Sequence, residues 1–193
     1  MAIDWKRVYK WGSRLLFAGV VVATIAGYVF APLFRIGVTK EVDTKSAREQ
    51  LVHQVTADLS RQAGLEETPD VAVSESPSAP FAVRVAFLGS IVAISPRVLD
   101  PNAYTDTDVR GVIAHEIGHI KKWDSYRIWN HWNSGWHRSQ ELEADIYASK
   151  LVGCEDMHGL IRNHWQEALA GFQDENDPHP HPRERLAATG DCP

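Results

Sequence analysis

His115-Glu116-Ile117-Gly118-His119 is the stretch on which the reading of this chain turns. Residues four apart in an α-helix lie roughly 40° apart around its axis at 3.6 residues per turn, so both imidazoles can reach one metal ion. Glu116 stands between them, angled toward a water on that ion, where a carboxylate can serve as general base. The flanks support a helix. Thr105 and Asp108 approximate a capping box, and Val109, Ile113, Ile117 and Ile120 recur at helical spacing as a buried stripe. Gly118 costs about 1 kcal/mol of helix propensity against alanine, which makes sense where another element must come close. A five-residue pattern also arises by chance. A helix that merely carries two histidines and a glutamate is the competing reading until further ligands are found.

A catalytic zinc usually takes three protein ligands and keeps a fourth position for water. The metzincin pattern would set a glycine three residues after the second histidine and a third histidine three beyond it. Lys122 and Ser125 stand there instead, which excludes that class. Glu141-Leu142-Glu143-Ala144-Asp145 follows in helical-looking sequence, with Glu141 and Asp145 sharing a face and Glu143 turned nearly opposite, toward solvent. One carboxylate of that face can complete the metal shell while the other hydrogen-bonds a ligand histidine and fixes its tautomer. His131 and His137 read as ordinary surface or satisfied histidines.

Three motifs in order, Ala114-His-Glu-Ile-Gly-His119, Arg138-x-x-Glu141-x-x-Ala144-Asp145 and His179-Pro180-x-x-x-x-Arg185-Leu186, resemble the gluzincin family of HtpX, Oma-type and CAAX-prenyl endopeptidases. The likeness runs from about residue 45 to about residue 190. It implies that His115, His119 and Glu141 bind Zn2+ and that Glu116 is the base. It also implies that His179 and Arg185 face the oxyanion that develops during attack, which leaves His181 dispensable. On composition alone, the Asp177-to-Arg185 segment would read as a proline-rich surface tail with a metal-attracting His-Pro-His repeat. The interval from His119 to Arg138 is too short for the two membrane spans that HtpX carries there.

The rest of the chain fits one domain with an appendage. At 193 residues with 44% hydrophobic content, there is enough for a real core. A net charge of −5 and no long basic run argue against a nucleic-acid partner. Two cysteines, Cys154 and Cys192, are too few for a disulfide framework; they could form one bond or remain separate thiols.

Leu15 to Phe34 is uncharged and about long enough to span a hydrocarbon core of roughly 30 Å, with Trp5, Tyr9 and Trp11 at its entry. A cleaved signal peptide competes, but its apolar region would be unusually long, and Pro32 disfavours cleavage after Ala31. Lys6, Arg7, Lys10 and Arg14 outnumber Arg35 and Lys40 on the other flank. The domain is therefore expected on the extracytoplasmic side, the periplasmic one in a bacterium, although Lys45 and Arg48 even the count further out.

Beyond the anchor, Ala47 to Ala63 reads as an amphipathic helix with a stripe of Ala47, Leu51, Val55 and Leu59, ended by Gly64. Glu66 to Pro80 reads as a loop holding a short strand at Val71-Val73. Phe81–Leu88 and Ile91–Ser95 suggest a hairpin turning at Gly89-Ser90; a second span is excluded by Arg84 and by length. The four tryptophans at 123, 129, 132 and 136 suit core packing on one helical face, or else a cleft wall or membrane contact.

The expected architecture is α+β: a short basic tail (1–14), a transmembrane anchor (15–34), and a mostly helical zincin-like domain with a small β-hairpin or sheet (35–193). The expected activity is hydrolysis of a protein or peptide substrate, held as an added strand on the hairpin edge. The alternative is a non-catalytic binding or chaperone-like membrane factor that keeps a closed metal site for structure, where Glu116 would have no use.

Overall fold

The computed structural model describes residues 38–75, 81–85, 89–122, 134–164 and 180–190. The chain divides into two units, Met1–Gly37 and Val38–Pro193. The first, with the expected tail and anchor, lies outside the described residues, as does the tryptophan-bearing stretch 123–133. Among the described residues, no helix is long and apolar enough to cross a membrane.

The second unit is mostly helical with a small sheet, as its sequence suggests. Strand β1 (Val38–Glu41) leads to helix α1 (Ala47–Gln62), then to β2 (Asp70–Ser74), β3 (Phe81–Val85) and β4 (Gly89–Ile94). A 3-10 turn at Pro96–Leu99 leads to α2 (Asp106–Lys122), α3 (Ser134–Val152), α4 (Cys154–His164) and α5 (Pro182–Thr189).

Helix α1 begins where Ser46 and Glu49 cap each other, Ser46 Oγ accepting the Glu49 N–H at 3.1 Å and Glu49 Oε2 accepting the Ser46 N–H at 2.8 Å. Such a reciprocal cap satisfies two of the amides a helix start leaves orphaned. It ends at Gly64, whose φ of 63° is open to glycine at little cost. Its buried face differs from the expected stripe. Val52, Val55 and Leu59 are in the core, but Ala47 is exposed and Arg48 is buried in its stead. The guanidinium explains the shift: Arg48 Nε donates to the Val98 carbonyl at 3.1 Å, Nη2 to the Tyr104 and Thr105 carbonyls, and Nη1 to Asp106. A buried cation persists when its donors are filled in this way.

The sheet has the order β1-β2-β4-β3. The expected hairpin exists, with β3 and β4 antiparallel. Gly89 and Ser90 do not turn it: they pair opposite Val85 and Arg84, which lengthens β4 by two ladder positions and moves the connection to 86–88, outside the described residues. The Val71-Val73 candidate is a full strand, β2, and it lies parallel to β4 with Val71 opposite Val92. This central pair is buried, with Val71, Val92, Ala93 and Ile94 all in the core. That suits parallel strands, which are covered on both faces.

Helix α2 runs through the middle of the unit and meets α1, α3, α4 and the β3–β4 hairpin. Its cap is the expected one: Asp108 Oδ2 accepts the Thr105 N–H at 2.8 Å, and Thr105 Oγ1 accepts the Asp108 N–H at 3.1 Å. Val109, Ile113, Ile117 and Ile120 are buried as the spacing predicts. Burial continues around the helix, since Gly111, Val112, Ala114, His115, Glu116 and Gly118 are enclosed as well. A helix buried on every side belongs at the centre of a domain, and fully burying one such aliphatic side chain is worth about 1.5–3 kcal/mol.

Candidate metal centre

Glycine and alanine bring the two site helices together. A Cβ on Gly118 would stand 3.1 Å from the Ala144 Cα and 3.2 Å from its carbonyl oxygen, so α3 approaches α2 through a gap that only glycine leaves. Glu141 and Asp145 flank Ala144 on α3, and this approach delivers both carboxylates to the histidines of α2.

His115 and His119 stand one turn apart with their rings nearly perpendicular, and their Nε2 atoms are 3.1 Å from each other. Glu141 closes the group: Oε2 is 3.3 Å from His115 Nε2 and Oε1 is 3.3 Å from His119 Nε2. Ligand atoms from His115, His119 and Glu141 all lie within 4.8 Å of one another, a spacing that could hold a metal ion. Two imidazole nitrogens and a carboxylate oxygen suit a borderline divalent cation.

The surroundings tune these groups. Asp145 Oδ1 lies 2.8 Å from His115 Nδ1, which puts the ring proton on that nitrogen and leaves Nε2 facing Glu141 and His119. Burial opposes a charge on His115, but Asp145 and Glu141 outweigh it and push its pKa up to about 9. Glu141 is drawn well below the usual carboxylate range: burial alone would raise it, and the two histidines overcome that. Asp145 is lowered in the same balance, with Arg185 and His115 against burial.

Glu116 differs from both. It is 2% exposed, its Oε2 has no hydrogen-bond partner among the described residues, and burial pushes its pKa up. A buried carboxyl with an orphaned oxygen is costly, and such atoms concentrate where a ligand or a reacting group completes them.

Arg185 lies behind the cluster. Its Nε donates to Asp145 Oδ2 at 2.6 Å and its Nη2 to Asp145 Oδ1 at 2.7 Å, within a side chain that is almost wholly buried. It reaches this position from α5, where Pro182 supplies a proline at the helix start and His181 Nδ1 accepts the Arg183 N–H. A second tie joins the same helices: Arg138 Nη2 donates to both oxygens of Glu184 at 2.8 and 2.7 Å.

Of the residues singled out in the sequence, His115, Glu116, His119, Glu141, Asp145 and Arg185 are therefore brought together. His179 lies outside the described residues, as do the side chains of His131 and His137. Glu143 is exposed beside Lys122. The joining of Arg185 to Asp145 and of Arg138 to Glu184 left no trace in the sequence, where the partners stand 40 and 46 residues apart.

Residues 46–132 match the model of peptidase family M48. The "Protease HtpX homolog" of Bacillus subtilis (strain 168) is 40% identical over 77 residues, covering 39% of this chain and 25% of that protein. "Protease HtpX" of Stutzerimonas stutzeri (strain A1501) is 27% identical over 130 residues, covering 64% of this chain and 44% of that protein. The chain thus spans less than half the length of these relatives. The crystal structure of S. mikatae Ste24p superposes with a TM-score of 0.62 at 16% identity, covering 88% of this chain and 56% of that one, a likeness of fold.

Proposed function

We propose that this chain, whose matches to peptidase family M48, to HtpX proteases and to the Ste24p fold support the M48 gluzincin family, is a zinc-dependent endopeptidase. The observation that carries the reading is the buried Glu116 carboxyl, whose Oε2 has no hydrogen-bond partner among the described residues, on the helix that carries His115 and His119, which converge with Glu141. A closed structural site has no use for such a carboxyl, which weighs against the non-catalytic alternative.

His115, His119 and Glu141 would hold the ion, with Asp145 fixing the His115 ring. Zinc, when bound, supplies Lewis acidity toward a water and the scissile carbonyl. Glu116 takes the proton of the attacking water and hands it to the departing amine, and its raised affinity for protons suits both halves of that exchange. His179 and Arg185 stabilise the oxyanion, Arg185 also acting through its hold on Asp145. The substrate is an extended stretch of protein or peptide added to the hairpin edge, bound through main-chain hydrogen bonds. Residues 15–34 anchor the domain, which the flanking charges assign to the extracytoplasmic side, where it could serve protein quality control.

The test is incubation of the full chain with unfolded casein, with zinc, with a chelator, and with zinc restored. Cleavage should follow zinc and vanish in Glu116→Gln. Intact casein after incubation with the zinc-loaded protein overturns the reading, and so does undiminished cleavage by that variant.

A further inference from the structure

His158 on α4 lies outside the three motifs of the site and beyond residue 132, where the match to peptidase family M48 ends. It is nonetheless only 8% exposed, on a helix seated by the buried side chains of Met157, Leu160 and Ile161. An enclosed imidazole needs hydrogen-bond partners, and His158 Nε2 lies 2.7 Å from Thr189 Oγ1 on α5. The hydroxyl fixes the direction of this bond. Oγ1 is 2.9 Å from the Leu186 carbonyl oxygen and 3.2 Å from that of Arg185, and its one hydrogen goes to these. It therefore accepts from His158, whose proton sits on Nε2. The Cys154 sulfur, 3.7 Å from the same nitrogen, is the more distant and weaker acceptor.

The hydroxyl that His158 holds is thus bonded to the main chain of Arg185 and its neighbour. From the same residue, Nε and Nη2 reach Asp145 at 2.6 and 2.7 Å, and Asp145 Oδ1 lies 2.8 Å from His115 Nδ1. One run of hydrogen bonds leads from α4 through α5 and α3 to a ligand histidine on α2. At 8 residues, α5 is below the length of roughly 12–15 at which a helix is even marginal alone, so its position rests on tertiary ties. The Arg138–Glu184 pair is a partly exposed ion pair of the kind that contributes little. The His158 bond is costlier to break, because an enclosed N–H left without its acceptor keeps its full desolvation penalty.

We propose that His158 is a positioning residue for the metal site: through the Thr189 hydroxyl it fixes the backbone from which Arg185 grips Asp145, and so keeps His115 in its ligating orientation. The role rests on the reading of His115, His119 and Glu141 as a zinc site. It is exerted at a distance, since His158 touches neither the ligands nor Glu116 by any bond described above.

The experiment compares the full chain with Thr189→Val, which keeps the shape and removes the hydroxyl, with His158→Phe, which keeps a ring and removes the donor, and with the double variant. Zinc affinity is read by competition with a chelating indicator, and solvent exchange of the Arg185 Nε–H by NMR of the zinc-free protein. Each single change should raise the zinc Kd about fivefold, below the roughly 10–100-fold that loss of a ligand's own hydrogen-bond partner costs, and should speed the Arg185 exchange. The double variant should be no worse than the worse of the two singles, because both changes remove the same bond. Thr189→Ser and His158→Gln, which put back a hydroxyl and an N–H, should keep most of the wild-type affinity. A merely structural bond would lower the urea midpoint and leave zinc affinity and Arg185 exchange alone. That result overturns the positioning role, as does a change in only one of the two readings, or losses that add in the double variant. Thr189→Val, at a half-buried helix end, decides alone if His158→Phe does not fold. A fivefold shift in a protein whose zinc-loaded wild type leaves casein intact sinks the peptidase reading and leaves the positioning role. If the wild type binds no zinc, the metal-site reading fails and the Arg185 exchange in Thr189→Val decides: faster exchange upholds the hold of His158 on Arg185, and unchanged exchange overturns it.

Discussion

Gly118 of α2 and Ala144 of α3 meet backbone to side-chain position, with 3.1 Å between the Ala144 Cα and the point where a Cβ on Gly118 would sit. Alanine at 118 would gain about 1 kcal/mol of helix propensity, yet the atom it presses on is backbone, so α3 itself must move. Because Glu141 and Asp145 travel with α3, Gly118→Ala should weaken zinc binding more than it lowers folding stability. Gly111→Ala is the contrast. There a Cβ would stand 2.8 Å from Leu160 Cδ2, a side-chain end on α4, which carries none of the ligands, so stability should fall by about 1–3 kcal/mol with zinc affinity unchanged. Chemical unfolding and zinc titration of the two variants check this; equal zinc affinity in both would refute it.

Glu116 and Glu141 should separate cleanly. Glu116→Gln removes a proton carrier that is no ligand, so kcat should fall by about 10²–10⁴ with zinc retained. Glu141→Ala removes one of the converging donor groups and should lose zinc together with activity. Metal analysis of the purified variants beside casein assays distinguishes them.

Arg185→Ala leaves the Asp145 carboxylate buried without its bidentate partner. Removing one member of a buried pair costs about 3–5 kcal/mol, so this variant should unfold at much lower denaturant and bind zinc more weakly. Asp145→Asn in the same chain should recover part of the stability, because the orphaned charge is gone. A variant that keeps its stability and zinc and loses only kcat would instead make Arg185 an oxyanion residue alone.

Asp108 predicts a pH dependence of stability. Burial works to raise its carboxyl, but the Thr105 hydrogen bonds and His164 outweigh this and hold it below its ordinary value of 3.8. The folded state thus binds the proton less readily than the unfolded one. The stabilisation is complete above the ordinary value and disappears as pH falls past it and through the lowered folded value. Urea unfolding between pH 6 and pH 3 should show a loss that Asp108→Ala lacks, the variant being about 1 kcal/mol less stable at pH 6. Parallel curves for the two proteins would remove Asp108 from that role.

The parts of the fold legible in the sequence were those fixed by near neighbours along the chain. The Thr105–Asp108 cap, the stripe of α2 and the close approach at Gly118 each depend on spacings of a turn or two, and each is present. What escaped depends on distant partners. The parallel pairing of β2 with β4 needs β3 to fold to the far side of β4, which no local pattern announces. Gly89-Ser90 carries turn chemistry, yet the ladder runs through it. Ala47 looked like the apolar edge of α1 until Arg48 was buried by carbonyls some 50 residues away. At the site, the individual residues were visible, whereas the pairing of Arg185 with Asp145 was not.

Arg48 also bears on the order in which the molecule is made. It holds the carbonyls of Val98, Tyr104 and Thr105 and the carboxylate of Asp106, the last across 58 residues of chain. The start of the histidine-bearing helix is therefore fastened by a segment that leaves the ribosome long before it. Contacts of such separation form slowly, since a large loop must close before they contribute. Zinc capture during refolding should consequently lag the appearance of helical signal, and a fragment beginning after Arg48 should form helix yet hold zinc poorly. Simultaneous stopped-flow traces for helix and metal uptake would contradict that order.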